Sequence, residues 1–123
     1  MCFLESLRRR KIKTLDMPLI SSRRNPLVRR LKALSRTKER NQASMLLLEG
    51  THLLQEALKA CCLPSEIVAT PKWLEDHEEI FQEISQGVQI HMVTKSVLEE
   101  SLSTVTPDGV ASLLPFSALP KKN

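Results

Sequence analysis

Residues 45–58 read Met-Leu-Leu-Leu-Glu-Gly-Thr-His-Leu-Leu-Gln-Glu-Ala-Leu, and this stretch decides the fold class. Met45–Leu48 is a short, uniformly apolar run, which is typical of a strand buried on both faces of a sheet. A Glu-Gly pair ends the run, and Thr51 can cap a helix with apolar residues at helical spacing until Pro64 stops it. A strand followed directly by an amphipathic helix predicts an α/β unit.

The same strand-then-helix pattern recurs along the rest of the chain. The predicted strands are Met45–Leu48, Glu66–Ala69, Val88–Val93 and Val110–Leu114. A predicted helix beginning at Thr70-Pro71 contains Trp73, which we interpret as a core anchor, and ends at Gly87. Thr106–Gly109 is a turn signal before the last strand. This alternation predicts an α/β layered domain of about four strands, at least partly parallel, with right-handed crossovers.

A basic helix is predicted in front of these units. It begins at Asn25-Pro26, because Asn caps helices and Pro suits the first helical position. Its apolar stripe consists of Leu27, Leu31 and Leu34. The basic residues projected onto the opposite face are Arg29, Lys32, Arg36 and Arg40. One helix is therefore expected to pack a core with one face and meet a polyanion with the other, followed by a loop over Asn41–Ser44.

Charge is distributed unevenly along the chain. Residues 1–40 hold 13 of the 18 basic residues and three of the 14 acidic residues, so this segment has a net charge of +10 and the remaining 83 residues have −6. Such asymmetry indicates a polyanion partner at one end or face. Arginine predominates there, which favours recognition of phosphates and bases.

Composition excludes several classes of site. Three glycines leave no phosphate-cradling loop, and the absence of Tyr argues against a line of stacking aromatics. Three scattered histidines have no metal-ligand spacing, and no catalytic triad can be picked out. Two of the three cysteines are adjacent, which fits no disulfide framework and favours a reducing compartment. Neither a membrane-spanning run nor a secretory signal is predicted. The basic arm and helix therefore form the predicted functional surface, for RNA.

The motifs together resemble a known family. Ser22–Pro26, with Leu31-Lys32-x-Leu34 after it, is similar to the opening of SpoU-type (TrmH-type) RNA ribose 2′-O-methyltransferases. Glu49-Gly50 with the following Leu-Leu-x-Glu-Ala-Leu helix, and the turn at residues 104–110, also resemble that family. The resemblance covers about residues 20–115, and the order and spacing of the motifs make it fairly specific.

The resemblance implies a three-layer α/β/α substrate-binding domain, shared with kink-turn-binding ribosomal proteins. It places the RNA-binding domain over residues 20–115 and an interdomain linker from 116 to 123. Residues 1–19 are expected to be a flexible basic extension, because residues 1–16 show no clear periodicity. In the family a knotted domain that binds S-adenosylmethionine and forms a homodimer follows. None of its motifs is present, so the chain alone is expected to bind no cofactor or metal and to be inactive.

The resemblance also implies which residues serve RNA recognition or domain shape. They are Ser22, Arg23, Arg24, Asn25, Lys32, Arg36, Lys38, Arg40, Glu49 and Gly50. The helical projection adds Arg29. The expected partner is rRNA or tRNA in the cytoplasm. Two alternatives are a free-standing small RNA- or ribosome-binding protein of the same fold, and a module whose basic arm docks an acidic protein.

Overall fold

A computed structural model describes residues 17–84, 87–103 and 108–120. Its strands are β1 (Leu19–Ile20), β2 (Met45–Glu49), β3 (Glu66–Ala69), β4 (Gln89–Val93) and β5 (Val110–Pro115). Its α-helices are α1 (Pro26–Ala33), α2 (Thr37–Ala43), α3 (Thr51–Lys59), α4 (Pro71–Asp76), α5 (Glu78–Ile84) and α6 (Lys95–Ser101). A 3₁₀ turn follows at Phe116–Ala118. Residues 1–16 of the predicted extension lie outside the described residues.

The strands form one mixed sheet in the order β1-β4-β3-β5-β2. β1 and β3 both run parallel to β4. β5 is antiparallel to both of its neighbours, β3 and β2. The predicted partly parallel sheet is confirmed.

Helices cover both faces of the sheet, as alternation of side chains along the strands requires. On one face, α1 and α6 pack against inward residues of the strands, namely Val68, Val93, Ala111 and Leu113. On the other face, α3, α4 and α5 pack against a second set, namely Ile67, Ala69, Met92 and Val110. Trp73, 2% exposed, belongs to this second cluster, so its predicted role as a core anchor is confirmed. The predicted three-layer α/β/α architecture is also confirmed.

Two strand predictions need correction. The sheet has a fifth strand, β1, formed by Leu19 and Ile20, where a flexible extension was expected through residue 19. A two-residue strand is too short to show periodicity, and it forms here because β4 offers it a parallel partner. β2 was expected to be buried on both faces, but all its residues are only partly buried. The reason is that β2 is a border strand with one neighbour, β5.

The predicted basic helix is also divided. α1 ends at Ala33, Arg36 is extended with φ −102° and ψ 136°, and α2 then occupies much of the predicted Asn41–Ser44 loop. The Ser35 hydroxyl donates to the Lys32 carbonyl over 2.6 Å, a local bond that competes with helix continuation. The prediction of one continuous helix was therefore wrong.

Smaller differences concern helix ends. The helix predicted to begin at Thr70-Pro71 and end at Gly87 is divided at His77 into α4 and α5. Cys62 is buried, whereas Cys61 is exposed in the left-handed region at φ 59°. The predicted linker begins with the 3₁₀ turn, and residues 121–123 lie outside the described part. Within the described residues, no helix is long and apolar enough to cross a membrane.

Candidate nucleic-acid interface

The strand directions bring several loops to one border of the sheet. The parallel strands β1, β3 and β4 end there, β5 begins there because Ala69 pairs with Val110, and β2 ends there because Glu49 pairs with Ala111. We call this border the carboxyl edge. Its segments are residues 21–25, 50–52, 70–72, 94–96 and 108–109. The opposite border, where β3 and β4 begin, is the amino edge.

A tight turn at the carboxyl edge presents two arginines. The Ser22 hydroxyl accepts a hydrogen bond from the Arg24 N–H at 3.1 Å, and the Ser22 carbonyl accepts from the Asn25 N–H at 3.1 Å. Asn25 then caps α1 by accepting from the Leu27 N–H at 2.9 Å. Arg23 and Arg24 are exposed, and neither forms an ion pair within the described residues. Ser22 and Asn25 thus shape the turn, and the arginines project from it.

The basic residues of α1 have different environments. Arg29 is exposed and forms no ion pair within the described part of the chain. Lys32 instead donates to the carboxylate of Glu100 on α6. Lys32, with a smaller contribution from Arg23, lowers the pKa of the exposed Glu100. Lys32 therefore links two helices of the same layer as well as carrying charge.

The basic residues around α2 lie away from the carboxyl edge. α1 runs back across the sheet from that edge, since Arg30 in its second half binds Glu66 at the start of β3. Arg40 donates to the carbonyls of Leu34 and Ser35 at 3.2 and 2.9 Å, closing the end of α1. Arg36 lies 3.5 Å from Glu39. α2 then leads into β2 at the amino edge.

The prediction that these basic residues share one helix face is therefore wrong. Ser22, Arg23, Arg24 and Asn25 lie at the carboxyl edge, whereas Arg36, Lys38 and Arg40 lie towards the amino edge. Lys38 is exposed without an ion pair among the described residues. The structure brings together the first group and separates the second from it, because α1 ends where the projection assumed that it continued.

The Glu49-Gly50 pair serves the shape of the domain. The Ser103 hydroxyl donates to the Glu49 carboxylate at 2.8 Å. Gly50, at φ 107°, is the N-cap of α3 and has no side chain with which to cap it. Asp108 supplies the missing acceptor, taking the Thr51 N–H at 2.6 Å from a position 57 residues away. Thr51 was the predicted cap, and the structure assigns that role to Asp108 instead.

Thr51 and Gly109 hold Trp73 against this edge. The Trp73 indole N–H donates to the Thr51 hydroxyl at 2.9 Å. Gly109 has φ 99°, and a Cβ added there would lie 3.1 Å from the Trp73 Cβ. The position requires glycine both for its backbone conformation and for this close approach. Gly109, directly before β5, is thereby held against the start of α4.

An open cavity of about 630 Å³ lies at the carboxyl edge, beyond the ends of β3 and β4. Its walls include Pro71, Trp73 and Leu98, and Lys72 and Lys95 line it as well. Lys72 lies 2.9 Å from Asp76, whereas the exposed Lys95 forms no ion pair within the described residues. No group of three or more metal-ligating side chains occurs in the described ranges.

Lys72 and Lys95 were absent from the predicted site. Thr70 and Thr94 cap α4 and α6 by accepting from the N–H groups of Trp73 and Val97, each at 3.2 Å. A capping threonine directly after a parallel strand places the next residues at the carboxyl edge. That signal was present in Thr-Pro-Lys and Thr-Lys-Ser, but it depends on knowing which strands are parallel.

Comparison with known proteins identifies the family of this chain. Residues 25–112 match the family model of the MRM3-like substrate binding domain. The chain is 40% identical over 102 residues to an uncharacterized tRNA/rRNA methyltransferase of Synechocystis, and 31% identical over 97 residues to the 23S rRNA (guanosine(2553)-2′-O)-methyltransferase RlmP of Bacillus subtilis. These alignments cover 82% and 79% of this chain but 37% of each relative. The chain thus spans about a third of their length.

A solved structure shares the fold. The rRNA methyltransferase from Sinorhizobium meliloti superimposes with a TM-score of 0.66 at 20% identity, over 80% of this chain and 37% of that one. An AdoMet-bound rRNA methyltransferase from the same organism gives a TM-score of 0.64 at 19% identity, over 80% of this chain and 36% of that one. The resemblance seen in the sequence is confirmed, and the chain belongs to the MRM3-like substrate binding domain family.

Proposed function

We propose that this chain is the RNA-binding domain of a 2′-O-ribose methyltransferase and positions rRNA or tRNA for a separate catalytic domain. The observation that carries the proposal is the turn at Ser22–Asn25, which holds Arg23 and Arg24 exposed at the carboxyl edge without ion pairs in the described residues. The family match and the names of the relatives support the choice of RNA as the polyanion.

Free guanidinium groups suit this task. A planar guanidinium donates two parallel hydrogen bonds to phosphate oxygens, and it retains its charge at any physiological pH. An arginine already paired with a carboxylate would first have to give up that partner. Neither Arg23 nor Arg24 forms an ion pair within the described residues, and the bonds of Ser22 restrict the turn that carries them.

The proposed contribution to catalysis is positioning. Phosphate contacts orient an RNA without reading its sequence, and correct placement of a reacting group lowers the barrier by avoiding the entropy of a free encounter. S-adenosylmethionine, bound by the catalytic domain, would supply the methyl group for a ribose 2′-hydroxyl. This domain would hold the RNA through its carboxyl edge, and homodimer formation would belong to the catalytic domain. The adjacent free thiols Cys61 and Cys62 are compatible with the proposed cytoplasmic location.

Filter binding of the chain to a structured rRNA fragment across a salt series tests the proposal. Counterion release predicts a log-affinity against log-salt slope of about −0.7 to −0.9 for each phosphate contacted. With Arg23 and Arg24 both bound to phosphates, the slope is therefore expected to be about −1.4 or steeper. Absence of binding at low salt, or a slope near zero, would contradict the proposal and favour an acidic protein as the partner of the basic arm.

A further inference from the structure

We propose that the cavity at the carboxyl edge receives one unpaired nucleotide of the RNA, with its base in the cleft and its phosphate on Lys95. This inference rests on the RNA binding proposed above and names a subsite for it. The cavity is lined by residues from three separate parts of the chain, including Thr70, Trp73, Lys95 and Gly109. None of these was among the residues expected to contact RNA.

The position of the cavity favours a ligand site. It lies outside the carboxyl ends of β3 and β4. β3 has a parallel neighbour, β4, on one side and an antiparallel neighbour, β5, on the other. Crevices at such ends of α/β sheets are where ligands bind most often, because loops diverge there while the strands stay fixed. Arg23 and Arg24 lie on the same edge, so an RNA held by them passes close to the opening.

The dimensions and walls suit a base. A volume of about 630 Å³ falls inside the range of about 300–1,000 Å³ typical of small-molecule pockets. Pro71 and His77 are partly exposed in the wall, whereas Trp73 and Leu98 line it with only 2% and 1% of their surface exposed. Trp73 is 2% exposed, and its ring stacks on His77 with centroids 4.6 Å apart. The wall is therefore firmly held before any ligand arrives, which reduces the entropy cost of binding.

The charged residues that line the cavity indicate which kind of polyanion it binds. Lys95 is exposed and unpaired in the described part of the chain, which leaves one cation available for a phosphate. Asp76 and Asp108 also line the cavity. Carboxylate oxygens there can accept hydrogen bonds from the N–H groups of a nucleobase, and acidic side chains offer no such donors. This mixture favours a nucleotide over an acidic protein segment.

A paired base cannot enter such a cleft, because its flat faces are stacked in the helix. Proteins that read RNA by sequence mostly take bases from loops, bulges and ends, where leaving the stack costs little. The ligand is therefore an unpaired nucleotide in a loop or bulge. Its neighbours on the strand would lie along the edge towards Ser22–Arg24.

The chain carries its own reporter for this contact, since Trp73 is the only tryptophan in the sequence. Two RNA hairpins should be compared with the full chain, identical except that one has a single-nucleotide bulge and the other an abasic residue at that bulge. We expect the intact bulge to bind about tenfold more tightly, a difference of about 1.4 kcal/mol, because only this bulge places a base in the cavity. We also expect only the intact bulge to change Trp73 fluorescence.

A matched pair of variants completes the experiment. Lys95→Gln should weaken binding of the intact bulge about threefold or more, whereas Lys59→Gln removes the same charge from the far end of α3 and should leave affinity unchanged. Thermal unfolding of both variants checks that they are folded. Equal affinity for the two hairpins with unchanged Trp73 fluorescence would overturn the cavity site while leaving RNA binding intact. Failure of both hairpins to bind at low salt would instead refute the proposed function.

Discussion

Arg30 and Glu66 form a bidentate ion pair between α1 and β3, with Nη1 2.7 Å from Oε1 and Nη2 2.5 Å from Oε2. The His91 ring, on the neighbouring strand β4, lies 2.9 Å from the same carboxylate. This arrangement ties the basic helix to the sheet. Its neighbour Arg29 is exposed and forms no ion pair in the described residues. Of these two adjacent arginines, Arg30 is thus bound to the sheet and Arg29 is available to a ligand.

The Glu66 carboxylate should make stability depend on pH. Hydrogen bonds from Arg30, and to a smaller extent from His91, lower the pKa of Glu66. Its contribution is therefore complete above the unfolded-state pKa of about 4.3 and is lost as pH falls through the lower folded-state value. We expect Glu66→Gln to cost about 1 kcal/mol at pH 7, by urea unfolding, and the difference from wild type to shrink below about pH 4. A difference that stays constant from pH 7 to pH 3 would contradict this role.

Asp108 should behave as the cap of α3, although it lies far from that helix in sequence. Asp108→Ala leaves the Thr51 N–H without its acceptor and should lower the free energy of unfolding by about 1 kcal/mol. Asp108→Asn keeps an oxygen at the same place and serves as the control, with most of the stability retained. If Asp108→Ala unfolds at the same urea concentration as wild type, the capping assignment is wrong.

Ser112 should be replaceable without loss. Its hydroxyl is fully buried in β5 and has no hydrogen-bond partner among the residues that the structure describes. Ser112→Ala should therefore raise the free energy of unfolding by about 1 kcal/mol, because the buried polar group is no longer desolvated. Ser101 is a matched buried serine whose hydroxyl donates to the Val97 carbonyl at 2.7 Å. Calorimetry should show no gain for Ser101→Ala, and a loss for Ser112→Ala would show that its hydroxyl is satisfied in solution.

Leu31 anchors the basic helix to the core. It is 0% exposed and packs among leucines and valines of α1, α6 and the sheet. Leu31→Ala should cost about 2–5 kcal/mol in urea unfolding, from the lost burial and the cavity left behind. Leu53 is 44% exposed, so Leu53→Ala makes the same chemical change at the surface and should cost less than about 0.5 kcal/mol. Similar losses for the two variants would contradict the packing described for α1.

Sequence patterns predicted the parts of the fold that have a clear period. The apolar runs of β3, β4 and β5 and the leucine stripe of α1 are visible without any structure. β1 was not predictable, because its two residues depend on a partner more than 70 positions away. α1 ends where the Ser35 hydroxyl donates to the Lys32 carbonyl. Helix propensity alone does not show whether a serine makes such a bond or continues the helix.

The candidate site was predicted in part. Arg23 and Arg24 follow directly from local sequence, because their turn is built from neighbouring residues. Lys95 and Asp108 reach the carboxyl edge only through strand order, which no local pattern contains. Arg40 was predicted on the RNA-facing side, yet its guanidinium closes α1. Exposure in a helical projection does not show whether a basic side chain is free.

The most direct test of the account compares RNA affinity for two double variants that remove equal charge. Arg23→Gln with Arg24→Gln alters the carboxyl edge, and Arg36→Gln with Lys38→Gln alters the end of the domain near the amino edge. We expect the first pair to weaken filter binding at least about tenfold and to reduce the magnitude of the salt slope by about 1.4, with thermal unfolding unchanged. The second pair should weaken binding much less. Equal losses for the two pairs, or a larger loss for the second, would contradict binding through the carboxyl edge.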